Sequence, residues 1–372
     1  MTPQSGNVAQ FERHGFGMIR TVEIKNFRGF ERFRVDGFSP INVIIGDNAV
    51  GKTALLESIW LTMSGGSDKA VALRQWRGLG IKFKIGSGDS MFDGMFADIF
   101  GDNTGKEPAI VELWGAGFEN RKLTVSKTRG DVVVNVEPAK DGSDQVSLAI
   151  ESKTMIAPIE FEWRNEVGQT FKAKVKFTSA GQIEFEGTGE DVPSTHMYAA
   201  QVAVDPTEAG AAYTALERNR EQDNFRRVFF NTFDWITDVK SDAESGALLA
   251  DVPWAKQLLP LGALSGGTAR AAAALLAMTR NGVVLIDEVE SGIFYTRQKH
   301  LCAALVGLAR AYDTQILMTT HSREWLGNFI DAIGDSHNDI TFWRLERLEN
   351  KPVMKRFSAP DFIAGFEAGE MR

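Results

Sequence analysis

Hydrophobic and polar positions alternate along MIRTVEIKNF (18–27), a two-residue period that predicts a half-buried strand. The alternation places Val22, Ile24 and Asn26 on one side and Thr21, Glu23, Lys25 and Phe27 on the other. A glycine-containing turn at 28–30 leads to a second short strand. INVII (41–45) follows, apolar throughout, as expected of a strand covered on both faces. After GDNAVGKT, the positions Leu55, Leu56, Ile59, Trp60 and Met63 recur at helical spacing. The first seventeen residues are polar, lack the apolar run of a signal peptide, and read as an extension outside the fold.

From about 71 to 193 the pattern changes to short β-like runs such as AIVELWGAG, KLTVSK, IEFEWRN and FKAKVKFTS, separated by turn-prone dipeptides. This predicts antiparallel, hairpin-rich material with one wet face, inserted into an α/β chain. Residues 205–233 turn helical. From Ser265 onward, helices of 10–15 residues alternate with the apolar strands VVLI, ILMTT and ITFWRL, which implies a parallel sheet. The expected division is an N-terminal extension (1–17), a P-loop half of the core (18–79), a β-rich insert (80–195), a helical lobe (196–263) and a second half of the core (264–372).

Composition narrows the class. With 43% hydrophobic residues the chain can build a large core, and one cysteine excludes an intrachain disulfide or a cysteine-based metal cluster. The net charge of −8 argues against a polycationic nucleic-acid coat. No apolar stretch is long enough to span a membrane, so a cytoplasmic protein is expected.

Three motifs carry chemistry. Gly46, Asp47, Asn48, Ala49, Val50, Gly51, Lys52 and Thr53 spell a complete G-x4-G-K-[ST] between a strand and a helix. The glycines let successive backbone N–H groups face phosphate oxygens. Lys52 reaches the β- and γ-phosphates of ATP, and the Thr53 hydroxyl ligates Mg²⁺. VVLI then delivers Asp287 and Glu288 to a strand end, where ligands collect in open α/β sheets. Asp287 would hold Mg²⁺ and Glu288 would activate water; by themselves, the same letters also describe a solvated strand end. Ser265, Gly266 and Gly267 open an alanine-rich helix, a second N-terminal anion site, and Ser265 reads equally as an ordinary N-cap.

This ordered set, completed by His321 after ILMTT, resembles ABC-type ATPases. That resemblance implies two copies sandwiching ATP head to tail, the P-loop of one facing the signature serine of the other, with the histidine sensing the γ-phosphate. The opening MIRTVEIKNFRGF and the DEVESG stretch look like the RecF, SMC and OLD branch, over roughly 18–75 and 255–372. The fold class expected is therefore α/β: a P-loop NTPase, ABC-type head with the β-rich subdomain and the helical lobe. Departures are the absence of a clear glutamine loop, for which Gln75 is the candidate, and Glu290-Ser291-Gly292 in place of the usual D-loop. Arg28 resembles a position from which SMC-like heads reach nucleotide.

The resemblance implies catalytic roles for Glu288, Lys52 and His321, a homodimer or higher homo-oligomer, and ATP with Mg²⁺. OLD nucleases continue into a Toprim domain, which this sequence does not show, so a nuclease effector is expected from a separate subunit. That resembles the standalone ATPase of PARIS-type anti-phage systems, triggered by a phage protein. A DNA repair ATPase that clamps duplex DNA is the alternative, disfavoured by the acidic balance. Arg218, Arg220, Arg226 and Arg227 are interspersed with Glu217, Glu221 and Asp223 and read as a salt-bridged helix face. Lys172, Lys174 and Lys176 read as a solvated sheet face.

Overall fold

The first hairpin seeds a sheet much larger than itself. In a computed structural model of the chain, β1 (Met18–Phe27) pairs antiparallel with β2 (Phe30–Asp36) on one edge and with β4 (Ala109–Ala116) on the other. The structure describes residues 17–66, 97–101, 105–116, 118–127, 156–177, 183–187, 195–200 and 204–370, with a few isolated positions between them. Most of the extension expected over 1–17, and Gln75, lie outside the described residues.

Phe27 corrects the expected facing of β1. It is buried on the same side as Val22 and Ile24, because Asn26 takes a left-handed φ of 50° and puts the strand out of step.

Beyond β4 the sheet continues through β5 (Phe118–Lys127), β8 (Ile156–Asn165), β9 (Thr170–Phe177) and β10 (Ile183–Gly187), seven strands in the order β10-β9-β8-β5-β4-β1-β2. The short strands β6 (Val136–Glu137) and β7 (Ser147–Leu148) pair separately. The expected boundary at 79/80 therefore crosses a continuous sheet, since β1 had an edge free for β4. Its wet face is a ladder of opposite charges: Glu23 with Lys25 and Arg34, Glu112 with Lys122, and Glu160 with Lys172 and Lys174. The Lys176 side chain lies outside what is described.

β3 (Ile41–Ile45) belongs to a second, six-stranded sheet of order β11-β15-β16-β3-β17-β18, built with β11 (Thr195–Tyr198), β15 (Val283–Ile286), β16 (Gln315–Thr320), β17 (Ile340–Leu348) and β18 (Lys351–Ser358). All but β18 run parallel. Ile41, Val43 and Ile45 enter one core cluster and Ile44 the other, which is why INVII has no polar alternation. β11, from the expected junction of insert and lobe, is an edge strand of this core.

Helix α1 (Lys52–Thr62) is buried all round, in the core cluster it shares with the seven-stranded sheet. Its polar residues are satisfied locally: Ser58 Oγ donates to Leu55 O at 2.7 Å and Thr62 Oγ1 to Ser58 O at 2.8 Å. The opposite face of the parallel sheet carries the other core cluster and the remaining helices. These are α2 (Pro206–Asn219), α3 (Gln222–Thr232), α4 (Leu261–Leu264), α5 (Gly266–Met278), α6 (Tyr295–Ala311), α7 (Arg323–Ile333) and α8 (Ala359–Glu367). The expected helical lobe is not wholly helical. Residues 238–260 form a three-stranded meander of β12 (Asp238–Ser241), β13 (Leu248–Asp251) and β14 (Leu259–Pro260), whose runs are too short to show a period.

Candidate functional site

The strands β3, β15 and β16 end together at the carboxyl edge of the parallel sheet, with Thr320 in register with Ile45 and Met318 with Ile286. The P-loop leaves β3 at this edge. Gly46 must lack a side chain, since a Cβ there would stand 2.3 Å from the Leu345 carbonyl, and Gly51 caps α1 at φ 116°. Lys52 is buried, its ammonium donating to the carbonyls of Gly46 at 2.7 Å and Asp47 at 2.9 Å. Burial pulls its pKa below the ordinary lysine value, against the opposing pull of Asp287, Glu288 and Glu290.

Asp287, one residue beyond β15, is buried and holds two hydroxyls. Thr53 Oγ1 donates to Oδ2 at 2.8 Å and Thr319 Oγ1 to Oδ1 at 2.6 Å. Thr319 sits on β16, the strand that separates β15 from β3, and its oxygen also accepts the Glu288 N–H at 2.9 Å. A hydroxyl and a carboxylate converging beside a buried ammonium are oxygen donors of the kind a hard divalent cation takes. The donor set of Thr53, Asp287 and Lys52 fits a hard divalent cation beside a phosphate chain.

Glu288 takes a φ of 47°, a left-handed conformation rare for a side chain of its size. The same bend sets three acidic or basic groups side by side: His321 Nδ1 is 3.8 Å from Glu288 Oε1 and 3.6 Å from Glu290 Oε1.

The signature segment reaches this site indirectly. Ser265 caps α5, its Oγ accepting the Thr268 N–H at 3.3 Å, as its plainer reading predicts. Gly266 is exposed with nothing within 4 Å of where a Cβ would stand, whereas a Cβ on Gly267 would lie 2.0 Å from the Gly292 carbonyl. One turn on, the buried Arg270 guanidinium donates to the carbonyls of Asp287, Glu288 (2.8 Å) and Ser291 (3.3 Å). Desolvation lowers its pKa while Asp287, Glu290 and Glu288 hold it up.

P-loop, Asp287, Glu288 and His321 thus come together, and the segment of Ser265 to Gly267 connects to them through Gly292 and Arg270. Thr319, Arg270 and Glu290 are the site residues that sequence reasoning did not assign. Arg270 had a signal, being the lone cation in an alanine-rich helix that could not leave a guanidinium buried without acceptors.

Other candidates have structural partners. Arg28 is buried, with Nε 2.9 Å from Glu57 on α1 and Nη1 3.2 Å from Asp98. Arg226 pairs at 2.7 Å with Asp238 of the meander, not with its helix neighbours, and donates to the Tyr213 hydroxyl.

The strand order and the loop at this edge define the fold of a P-loop NTPase. Two family models match it: "AAA ATPase domain" over residues 18–141, and "AAA domain, putative AbiEii toxin, Type IV TA system" over 217–325. Among curated proteins, the chain is 22% identical over 344 residues to an ATP/GTP phosphatase of Helicobacter pylori, covering 83% of this chain and 86% of that one. It is also 30% identical over 115 residues to the DNA replication and repair protein RecF of Heliobacterium modesticaldum. That match covers 30% of this chain and about a quarter (26%) of RecF. A solved SMC head bound to the C-winged helix domain of ScpA aligns over 93% of this chain and 99% of that one, at 12% identity and a TM-score of 0.47. The two ATPase-domain matches and the similarity to the phosphatase support ATPase activity in this chain. Among the described residues no helix is long and apolar enough to cross a membrane.

Proposed function

We propose that the chain binds ATP and Mg²⁺ through the P-loop and hydrolyses ATP with Glu288 as the base that activates water. The observation that carries this reading is the Thr53–Asp287 hydrogen bond at 2.8 Å, which joins the P-loop to the strand-end carboxylates. Thr53 and Asp287 would hold Mg²⁺, which would supply positive charge to neutralise the phosphates. Lys52 and the amino end of α1 supply fixed positive charge for the γ-phosphate. Asp287 orients the metal side, and Glu288, more exposed than Asp287, faces water. His321 contacts the γ-phosphate side.

Two copies sandwich nucleotide, each giving Ser265, Gly266 and Gly267 to the other's P-loop, with Gly266 open to an incoming phosphate. The nucleotide state then switches a separate effector nuclease of a cytoplasmic anti-phage system, with a phage protein as trigger. The match to a family model described as a putative toxin of a toxin–antitoxin system supports a defence role. So does the pairing of Lys172, Lys174 and Arg226 with acids.

The similarity to RecF favours a second reading, a DNA repair ATPase that clamps duplex DNA. Steady-state ATPase rates with and without duplex DNA, across several salt concentrations, separate the two. Rates unchanged by DNA are expected. Strong stimulation that fades with salt would replace the defence reading by the clamp. In the Glu288→Gln chain hydrolysis should fall by about 10²–10⁴-fold, the size of a general-base contribution.

A further inference from the structure

Glu290 has no task in the scheme above, yet it is the most firmly placed carboxylate beside His321. The loop that carries it is braced by main-chain hydrogen bonds: Val289 N to Thr319 O at 3.0 Å, Ser291 N to Glu288 O at 2.9 Å, and Ile293 N to Glu290 O at 3.1 Å. Its side chain is 11% exposed, against 37% for Glu288. Oε1 accepts the His321 main-chain N–H at 3.3 Å, and Oε2 is buried with no hydrogen-bond partner among the described residues. Keeping a carboxylate out of water with an oxygen unsatisfied is costly, and the main-chain bonds of its loop and the His321 N–H hold Glu290 there nonetheless.

The His321 ring stands beside the other oxygen, Oε1. Its Nδ1 stands 3.6 Å from Glu290 Oε1, just beyond hydrogen-bond length, and the ring is 48% exposed. A small movement of the ring, about 0.7 Å, brings Nδ1–H onto the fixed carboxylate. Nε2 lies on the far side of the imidazole from Nδ1, so this contact leaves Nε2 facing away from the acidic pair.

We propose that Glu290 is a positioning residue for His321. It takes the Nδ1 proton in a hydrogen bond, fixes the tautomer and ring plane, and presents Nε2 to the γ-phosphate side of the site. A ring nitrogen held by a carboxylate is the usual device for fixing an imidazole's orientation. The two glutamates divide the work by exposure: Glu288, the more open, is available to water, and Glu290, the more buried, holds the histidine. This inference rests on the reading of His321 as the γ-phosphate contact.

The test is a double-mutant cycle in the full chain with Glu290→Gln, Glu290→Ala and His321→Ala. Each Glu290 variant should lower kcat roughly 10–100-fold, the range seen when such outer partners are removed, with KM and ATP affinity little changed. Against His321→Ala the second substitution should cost nothing further. Losses that multiply, or a Glu290→Gln chain with wild-type kcat, overturn the proposal. ¹⁵N chemical shifts of the His321 ring give a readout free of turnover. Nδ1 should be protonated in the unsubstituted chain and should lose that preference in Glu290→Ala. An Nδ1 already unprotonated in the unsubstituted chain also overturns it. If that chain hydrolyses no ATP, the parent reading fails, while the ring shifts still decide the Glu290–His321 pair.

Discussion

Thr53 and Asp287 are 234 positions apart in the chain, and the threonine hydroxyl donates to the aspartate carboxylate at 2.8 Å. The other Asp287 oxygen takes Thr319, so the carboxylate is oriented by the first turn of α1 on one side and by β16 on the other. Asp287→Asn should abolish Mg²⁺-dependent ATP hydrolysis. Thr319→Val, which leaves the P-loop and the carboxylate in place, should lower kcat roughly 10–100-fold by freeing the carboxylate to rotate. Steady-state assays at varied Mg²⁺ check both, and a Thr319→Val chain with wild-type kcat would show that the second hydroxyl is dispensable.

Two adjacent glycines should respond oppositely to the same methyl group. Gly267→Ala drives a Cβ to 2.0 Å from the Gly292 carbonyl, and overpacking of this kind costs about 1–3 kcal/mol. Gly266→Ala meets nothing within 4 Å and should leave the thermal unfolding midpoint unchanged. Because Gly292 lies in the segment that follows Glu288, Gly267→Ala should also lower kcat. Melting curves and ATPase rates of the two variants, side by side, decide it.

Arg28 and Glu57 form an ion pair at 2.9 Å with both side chains almost fully buried. Arg28→Ala leaves the Glu57 carboxylate in the core beneath α1, and breaking a buried pair this way costs about 3–5 kcal/mol. Arg28→Met with Glu57→Leu removes both charges and should recover most of that loss. Denaturant titrations of the single and double variants give the comparison. Equal stability of Arg28→Ala and the unsubstituted chain would remove the pair from the account of this core.

Asp339 is clamped by Arg310, whose Nε donates to Oδ2 at 2.8 Å and Nη2 to Oδ1 at 2.7 Å, and these bonds hold its pKa below the usual 3.8. A carboxylate with a depressed folded pKa adds stability that is present above about pH 4 and is lost as the pH falls through the folded value. The pair is about one-third exposed, so the effect is at most about 1 kcal/mol. Asp339→Asn should therefore be less stable than the unsubstituted chain at pH 6, with the gap closing in acid. Urea midpoints across that range test the sign.

The candidate site was legible because its parts are local strings at element ends: a glycine loop after INVII, two acids after VVLI, a histidine after ILMTT. What brought them together was legible only as alternation of strand and helix, which fixes a parallel sheet but not its order. Thr319 was hidden for that reason. A threonine in an apolar strand looks like any β-branched filler until β16 is known to lie between β15 and β3. The meander over 238–260 was missed because two- to four-residue strands carry no measurable period. Phe27 was misplaced by one backbone angle at Asn26, which no side-chain pattern records.

Helix α1 is gripped along its length by the antiparallel sheet: Arg28 holds Glu57 in its middle, and the Trp163 indole N–H donates to the Leu61 carbonyl at its far end, 3.0 Å away. Trp163 belongs to β8, four strands from β2 across that sheet. The helix is therefore a rod shared by two sheets, with the P-loop residues Lys52 and Thr53 at its tip and a wide β-surface fastened to its shaft. The first turn of the helix and the strands fastened to its shaft are thus held in one fixed relation by two side chains, Arg28 and Trp163.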